Sequence, residues 1–205
     1  MRALAFAAAL TALTLAPAAA FAHFQEILPA QDILADDGDH TVHLDLTFTH
    51  PMEGGPTMDM GTPVRVGVVS AAGRQDLKAA LVTVKKGDGK TAYTLSHKLT
   101  APGDYVYFIE PAPYWEPAEG KNIIHYSKVV VDLGAGGGWD KLAGLPVEIE
   151  PLTRPYGLWT GNVFRGIVRR DGKPVPFAEV EVEWVNDGSV KAPSDPFVTQ
   201  VVKAN

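Results

Sequence analysis

The chain is written in short alternating runs. In "HTVHLDLTFTH", Val42, Leu44, Leu46 and Phe48 are apolar, and Thr41, His43, Asp45 and Thr47 between them are polar. Successive side chains of a strand point to opposite faces, so this period of two predicts a strand with one buried and one wet face. "VRVGVV" (64–69), "YTLSHKL" (93–99), "YVYFIE" (105–110) and "HYSKVVVDL" (125–133) predict further strands. "KKGDGK" (85–90) reads as a hairpin turn, with glycines free to take positive φ. Helical periodicity is nearly absent, and 20 glycines and 16 prolines punctuate the runs. The expected fold is all-β, with an immunoglobulin-like β-sandwich over residues 23–150. "LGAGGGWDKLAG" reads as a flexible connector or loop. It lacks the Gly-Lys-Ser/Thr opening a helix that a phosphate loop requires.

A second β unit is expected over residues 151–205. "GNVFRGIVRRDGKPVPFAEVEVEWV" gives a strand, a turn at Asp171-Gly172 and another strand. Val180, Val182 and Trp184 alternate with Glu179, Glu181 and Glu183, which places the glutamates on a solvated face. A sheet of about three strands rarely buries enough apolar surface to stand alone. The unit is therefore expected to pack on the first sandwich or to be an incomplete, C-terminally truncated sandwich-like unit, and truncation is the preferred expectation.

The first residues carry a different pattern. Arg2 precedes an apolar run from Ala3 to Leu15, and Ala20-Phe21-Ala22 fits an A-x-A cleavage site. Residues 1–22 read as a secretory signal peptide, because the run is shorter than the roughly 20 residues of a membrane span. A cut after Ala22 makes His23 the first residue. Ala18 and Ala20 also permit an earlier cut that would leave Phe21 first.

Composition narrows the chemistry. The net charge is −6, with no Lys/Arg block, which disfavours nucleic acid as a partner. There are no cysteines, so disulfides, thiolate metal sites, thiol catalysis and a lipoprotein anchor are excluded. The expectation is a soluble periplasmic protein that does not span the membrane once its signal is removed. Any metal would have to be held by His, Met, carboxylate or backbone groups.

His23 is the first candidate ligand. As an N-terminal residue it would offer a neutral amine and the imidazole Nδ1, two donors already joined in one chelate ring. Nitrogen donors of this kind suit Ni, Cu and Zn. His50 continues the apolar face of the 42–48 strand and is stopped by Pro51, which places it at a sheet end bordering a pocket. His125 opens the strand after "EPAPYWEPAEGKN", a segment stiffened by Pro111, Pro113 and Pro117. Glu116 and Glu119 in that segment could fix a ligand ring by a hydrogen bond, and Tyr114 and Trp115 read as caps of the core. Met52, Met58 and Met60 offer soft sulfur that would favour copper, or simply fill gaps in the core. His43 is an alternate ligand, and His40 and His97 read as solvent-facing.

These strings also carry a resemblance. "AHFQEILP", "FTHPMEGG", "PAPYWEPAEGKNIIHYSKVVV", "GWDKLAGLPVEIEPLTRPYGLWTGNVFRG" and "DGKPVPFAEVEVEW" resemble the periplasmic nickel uptake transporter family, the accessory metal-binding components of bacterial nickel importers. The resemblance implies a secreted β-rich protein that binds nickel, or cobalt, and works with the membrane components of an importer. It also implies a C-terminal continuation. The alternative is a copper-handling protein with a His-brace-like site and methionine support. A copper oxygenase could use the same N-terminal histidine, and a structural or carbohydrate-binding sandwich would use none of these residues. No G-x-S-x-G elbow supports a hydrolase. The expected protein is a metal carrier and not an enzyme.

Overall fold

A computed structural model describes residues 23–205 apart from Asp88, Ala118 and Ala135. The signal peptide expected over 1–22 lies outside the described residues. In chain order the strands are β1 (Phe24–Pro29), β2 (Ile33–Leu34), β3 (Thr41–Thr49), β4 (Arg65–Ser70), β5 (Gly73–Asp76), β6 (Leu81–Lys86), β7 (Lys90–Lys98), β8 (Gly103–Glu110), β9 (Tyr114–Glu116), β10 (Lys121–Ile123), β11 (Ser127–Leu133), β12 (Val147–Pro151), β13 (Gly166–Arg170), β14 (Lys173–Pro174), β15 (Glu179–Val182) and β16 (Gln200–Lys203). Two short 3-10 turns complete the described elements.

Two sheets form an all-β sandwich. One has the order β1-β3-β7-β6 and the other β2-β11-β8-β4-β5. All pairings are antiparallel except β2 with β11. The alternation in β3 is realised: Val42, Leu44, Leu46 and Phe48 are at most 3% exposed. They meet Val66, Val68, Tyr107, Ile109, Val131 and Leu133 of the facing sheet in one core. Residues 86–90 turn the β6–β7 hairpin, with Gly87 and Gly89 at positive φ.

One strand starts later than the pattern suggests. β11 begins at Ser127, opposite Ile109, and His125 lies before it. Continuing the ladder would set His125 against Pro111, which has no amide to donate.

The glycine-rich segment is a loop, as one of its two readings has it, and over residues 136–146 it is anchored and not slack. Asp104, 1% exposed, accepts hydrogen bonds from the amides of Gly137 (2.6 Å) and Trp139 (3.0 Å) and from the Tyr156 hydroxyl (2.6 Å). Glu148 accepts from the amides of Ala143 and Gly144, both at 2.8 Å, and pairs with Lys128 at 2.8 Å. Ala143 and Leu145 pack against Phe108. Two buried carboxylates thus satisfy backbone donors that would otherwise be stranded.

The C-terminal strands form two small sheets, β12-β13-β14 and β15-β16. β12 spans the boundary expected at 150/151 and pairs with β13 along its whole length. Beyond Pro151, Tyr156 is the only buried hydrophobic residue. The solvated-glutamate expectation for β15 is reversed in part. Val182 and Trp184 are about half exposed (50% and 53%), while Glu183 is half-buried and accepts the Thr199 hydroxyl. Glu183 lies close enough to Glu26 of β1 for its charge to act on it, and Glu26 accepts the hydroxyl of Thr47, itself only 8% exposed, at 3.3 Å. Asn186 ties the segment down, its amide reaching Pro51 O (3.0 Å) and its side chain Met52 O (2.8 Å). Among the described residues no helix is long and apolar enough to cross a membrane.

Candidate metal centre

The β1–β3 register builds the first half of the site. Phe24 pairs with Thr49, so one step further along the same antiparallel ladder brings His23 beside His50. Directly opposed residues point to the same face, and here it is the core face that Phe48 and Leu46 share. The two imidazole centroids are 4.3 Å apart with their planes at 42°. Pro51 and the following turn, in which Gly54 donates to His50 O at 2.9 Å, end β3 and leave His50 at the mouth of the sandwich, 6% exposed.

The other half comes from the segment between β8 and β11. Glu116, in β9, places Oε2 3.4 Å from His23 Nδ1, and its side chain is 12% exposed. Phe48, fully buried, forms the floor of the group. Its ring lies 5.2 Å from His125, 4.9 Å from Tyr114 and 6.0 Å from His23. The three expected histidines therefore gather at one end of the sandwich, with Glu116 among them. His125 Nε2 is buried and has no hydrogen-bond partner. An orphaned ring nitrogen is costly unless something with a vacant coordination position or a proton meets it.

Burial disfavours the protonated form of two of these rings. Burial lowers the His23 pKa, the His50 charge lowers it further, and Glu116 opposes both. Burial also lowers the His125 pKa, with His23 adding to the effect and Glu116 again opposing it. Neutral imidazole is the form that ligates metal. Among the described residues no three His, Asp or Glu side chains already stand as a ready cage. His23 and His50 lie ring against ring, so ligation would require side-chain rotation and a further donor.

The remaining candidates separate cleanly. Glu119 faces water and pairs with Lys121, away from the histidines. His43 is exposed on the outer face of β3, with Nδ1 3.0 Å from Ser96 Oγ. Met58 and Met60 pack with the sandwich core, and Met52 is buried beside His50 in the chain. Tyr114 caps the core as expected, whereas Trp115 is 54% exposed. His40 Nε2 donates to Asp36 O at 2.9 Å. His97 is not solvent-facing: it is half-buried between the sheets and sits 2.8 Å from the Tyr107 hydroxyl. Phe48 was legible only as a core residue. Its role as the common neighbour of two histidines depends on pairings that the sequence does not state.

Comparison with curated proteins gives no match. A family profile matches nearly all of the described chain, residues 20–205, and the chain therefore belongs to the DUF4198 family, a domain of unknown function.

Proposed function

We propose that the mature protein captures a borderline divalent metal ion in the periplasm and passes it to the membrane components of an importer. Nickel is the first candidate cargo, on the resemblance described above, with cobalt next. The ligands in this reading are the His23 amine and imidazole with the imidazoles of His50 and His125, and Glu116 orients His23. The observation that carries it is the gathering of three histidines, distant in sequence, about one buried aromatic floor, with a partnerless nitrogen on His125. Burial, by disfavouring the protonated form of His23 and His125, favours metal binding by these rings. Such a site binds and releases cargo and performs no bond-making chemistry, so the protein is read as a carrier and not an enzyme.

The test is a calorimetric titration of the chain beginning at His23 with Ni(II) near neutral pH. One saturable site is expected. His50→Ala and His125→Ala should each weaken it by at least about tenfold, or roughly 1.4 kcal/mol. Circular dichroism melts would establish that both variants are folded. Full-strength binding by both would remove these residues from the site. Parallel titrations with Co(II) and copper distinguish the nickel reading from the copper-handling alternative, because copper is generally bound more tightly by nitrogen donors.

A further inference from the structure

A cleft of about 880 Å³ runs beside the candidate metal centre, between β1 and β11 on one side and β12, β13 and β15 on the other. It is lined by every residue of β1, so its length follows a strand of six residues, about 20 Å. Most of its wall is apolar, with Leu28, Val130, Ile149 and Phe164 among the contributors.

β1 is an edge strand of its sheet. Ala30 N donates to His43 O at 2.9 Å, and in an antiparallel ladder this alternation turns the amides and carbonyls of Gln25 and Ile27 away from β3. The Ser127 hydroxyl donates to Gln25 O. Gln25 N and the backbone groups of Ile27 lie off the β3 ladder, on the free side of this edge strand. An edge of this kind is a template for another strand.

The charged groups lining the cleft are mostly acidic. Asp32, Glu26, Glu148, Glu179 and Glu181 line it; among the described residues the one cation on the lining is Lys128, which is engaged by Glu148 at 2.8 Å. Lys203 approaches Glu179 only to 4.0 Å from outside. Glu26 Oε1 and, next to it, Glu183 Oε2 are buried and unpartnered. Burial, with the Glu183 charge adding, raises the Glu26 pKa. The carboxylates on the lining, Glu26, Glu179 and Glu181 among them, favour an occupant rich in cationic N–H groups.

We infer that this cleft docks an extended basic segment of a partner protein, which adds as a strand to the open edge of β1 and places arginine or lysine side chains against Glu26, Glu179 and Glu181. Strand addition draws affinity from main-chain hydrogen bonds and specificity from alternate side chains. β1 begins one residue after His23 and β11 two residues after His125, so an occupant would press on strands adjoining two of the proposed ligands. The docking surface stands without the metal reading, and it is tested without metal.

The probe is a fluorescein-labelled peptide alternating valine and arginine, about eight residues long to span the strand. Anisotropy is read with the full secreted chain in EDTA. Saturable binding that weakens as salt is raised is expected. The double variant Glu179→Lys/Glu181→Lys should weaken it at least about tenfold. Methylating the peptide amides that face β1 should weaken it similarly. The proposal is overturned by a valine–glutamate peptide binding as well, by the methylated peptide binding unchanged, or by no saturable binding. It is also overturned if Asp76→Lys, on the far edge strand β5, causes an equal loss. A dimer seen by sedimentation and abolished by the double variant would assign the cleft to a second copy of the chain instead.

Discussion

His23 and His50 meet ring to ring, 4.3 Å between centroids, because they are the next pair beyond Phe24 and Thr49 in the β1–β3 ladder. The contact is thus a consequence of register. A slip of one residue would turn one of the two rings to the opposite face of the sheet. The core residues Leu46 and Phe48, buried on the same face, hold that register in place.

Phe48 should therefore matter twice. Truncation to alanine would cost about 3–5 kcal/mol, as for buried aromatics in general. Phe48→Leu keeps most of the apolar volume and should cost roughly 1–2 kcal/mol in urea unfolding. The leucine variant should still lower Ni(II) affinity, since His125 and His23 both rest against the ring. Unchanged affinity in a folded leucine variant would reduce Phe48 to a core residue only.

The pinned glycine-rich segment gives a second expectation. The Tyr156 hydroxyl donates to a buried carboxylate, Asp104, at 2.6 Å. Hydrogen bonds to charged groups contribute about 1.5–3 kcal/mol. Tyr156→Phe should lower the unfolding free energy by about that amount and leave metal binding intact. A variant as stable as the parent would show that the hydroxyl is better solvated when the chain unfolds than this account allows.

His97 gives a pH dependence separate from the metal site. Burial lowers its pKa in the folded chain below the ordinary value of 6.5. The unfolded chain then binds more protons between the two values, so stability rises with pH across that window. The contribution is complete above the unfolded pKa and is lost as pH falls through the folded one. In EDTA, the melting temperature of His97→Gln should fall less steeply than the parent's from about pH 7.5 to 5.5, by about 2 °C. Identical slopes would contradict the assignment.

How far the sequence reached depends on the range of the interaction involved. β3, β4, β7, β8 and the β6–β7 turn were legible because each rests on a local pattern, a period of two closed by glycine or proline. The three histidines were legible as candidates because each sits at a strand end or at the expected new N-terminus. Their meeting was not, since it depends on β1 pairing with β3 and on the course of the segment from Pro111 to His125. Glu116 and Glu119 could not be separated by spacing alone. The structure turns the first toward His23 and pairs the second with Lys121 in water. β15 misled for a related reason: its alternation is real, but Glu183 lies close to Glu26 of β1, a residue far from it in the sequence. The glycine-rich segment looked slack because the carboxylates that hold it, Asp104 and Glu148, lie outside its own stretch of sequence.

The central claim is that cleavage after Ala22 creates a two-donor grip at His23, and one comparison addresses it directly. Ni(II) affinity is measured for the chain beginning at His23 and for the same chain carrying one extra residue before it, with both N-termini verified by mass spectrometry. The account predicts a loss of at least about tenfold on extension, roughly 1.4 kcal/mol, because the added peptide bond converts the amine into an amide. Equal affinities would show that the amine takes no part in holding the metal.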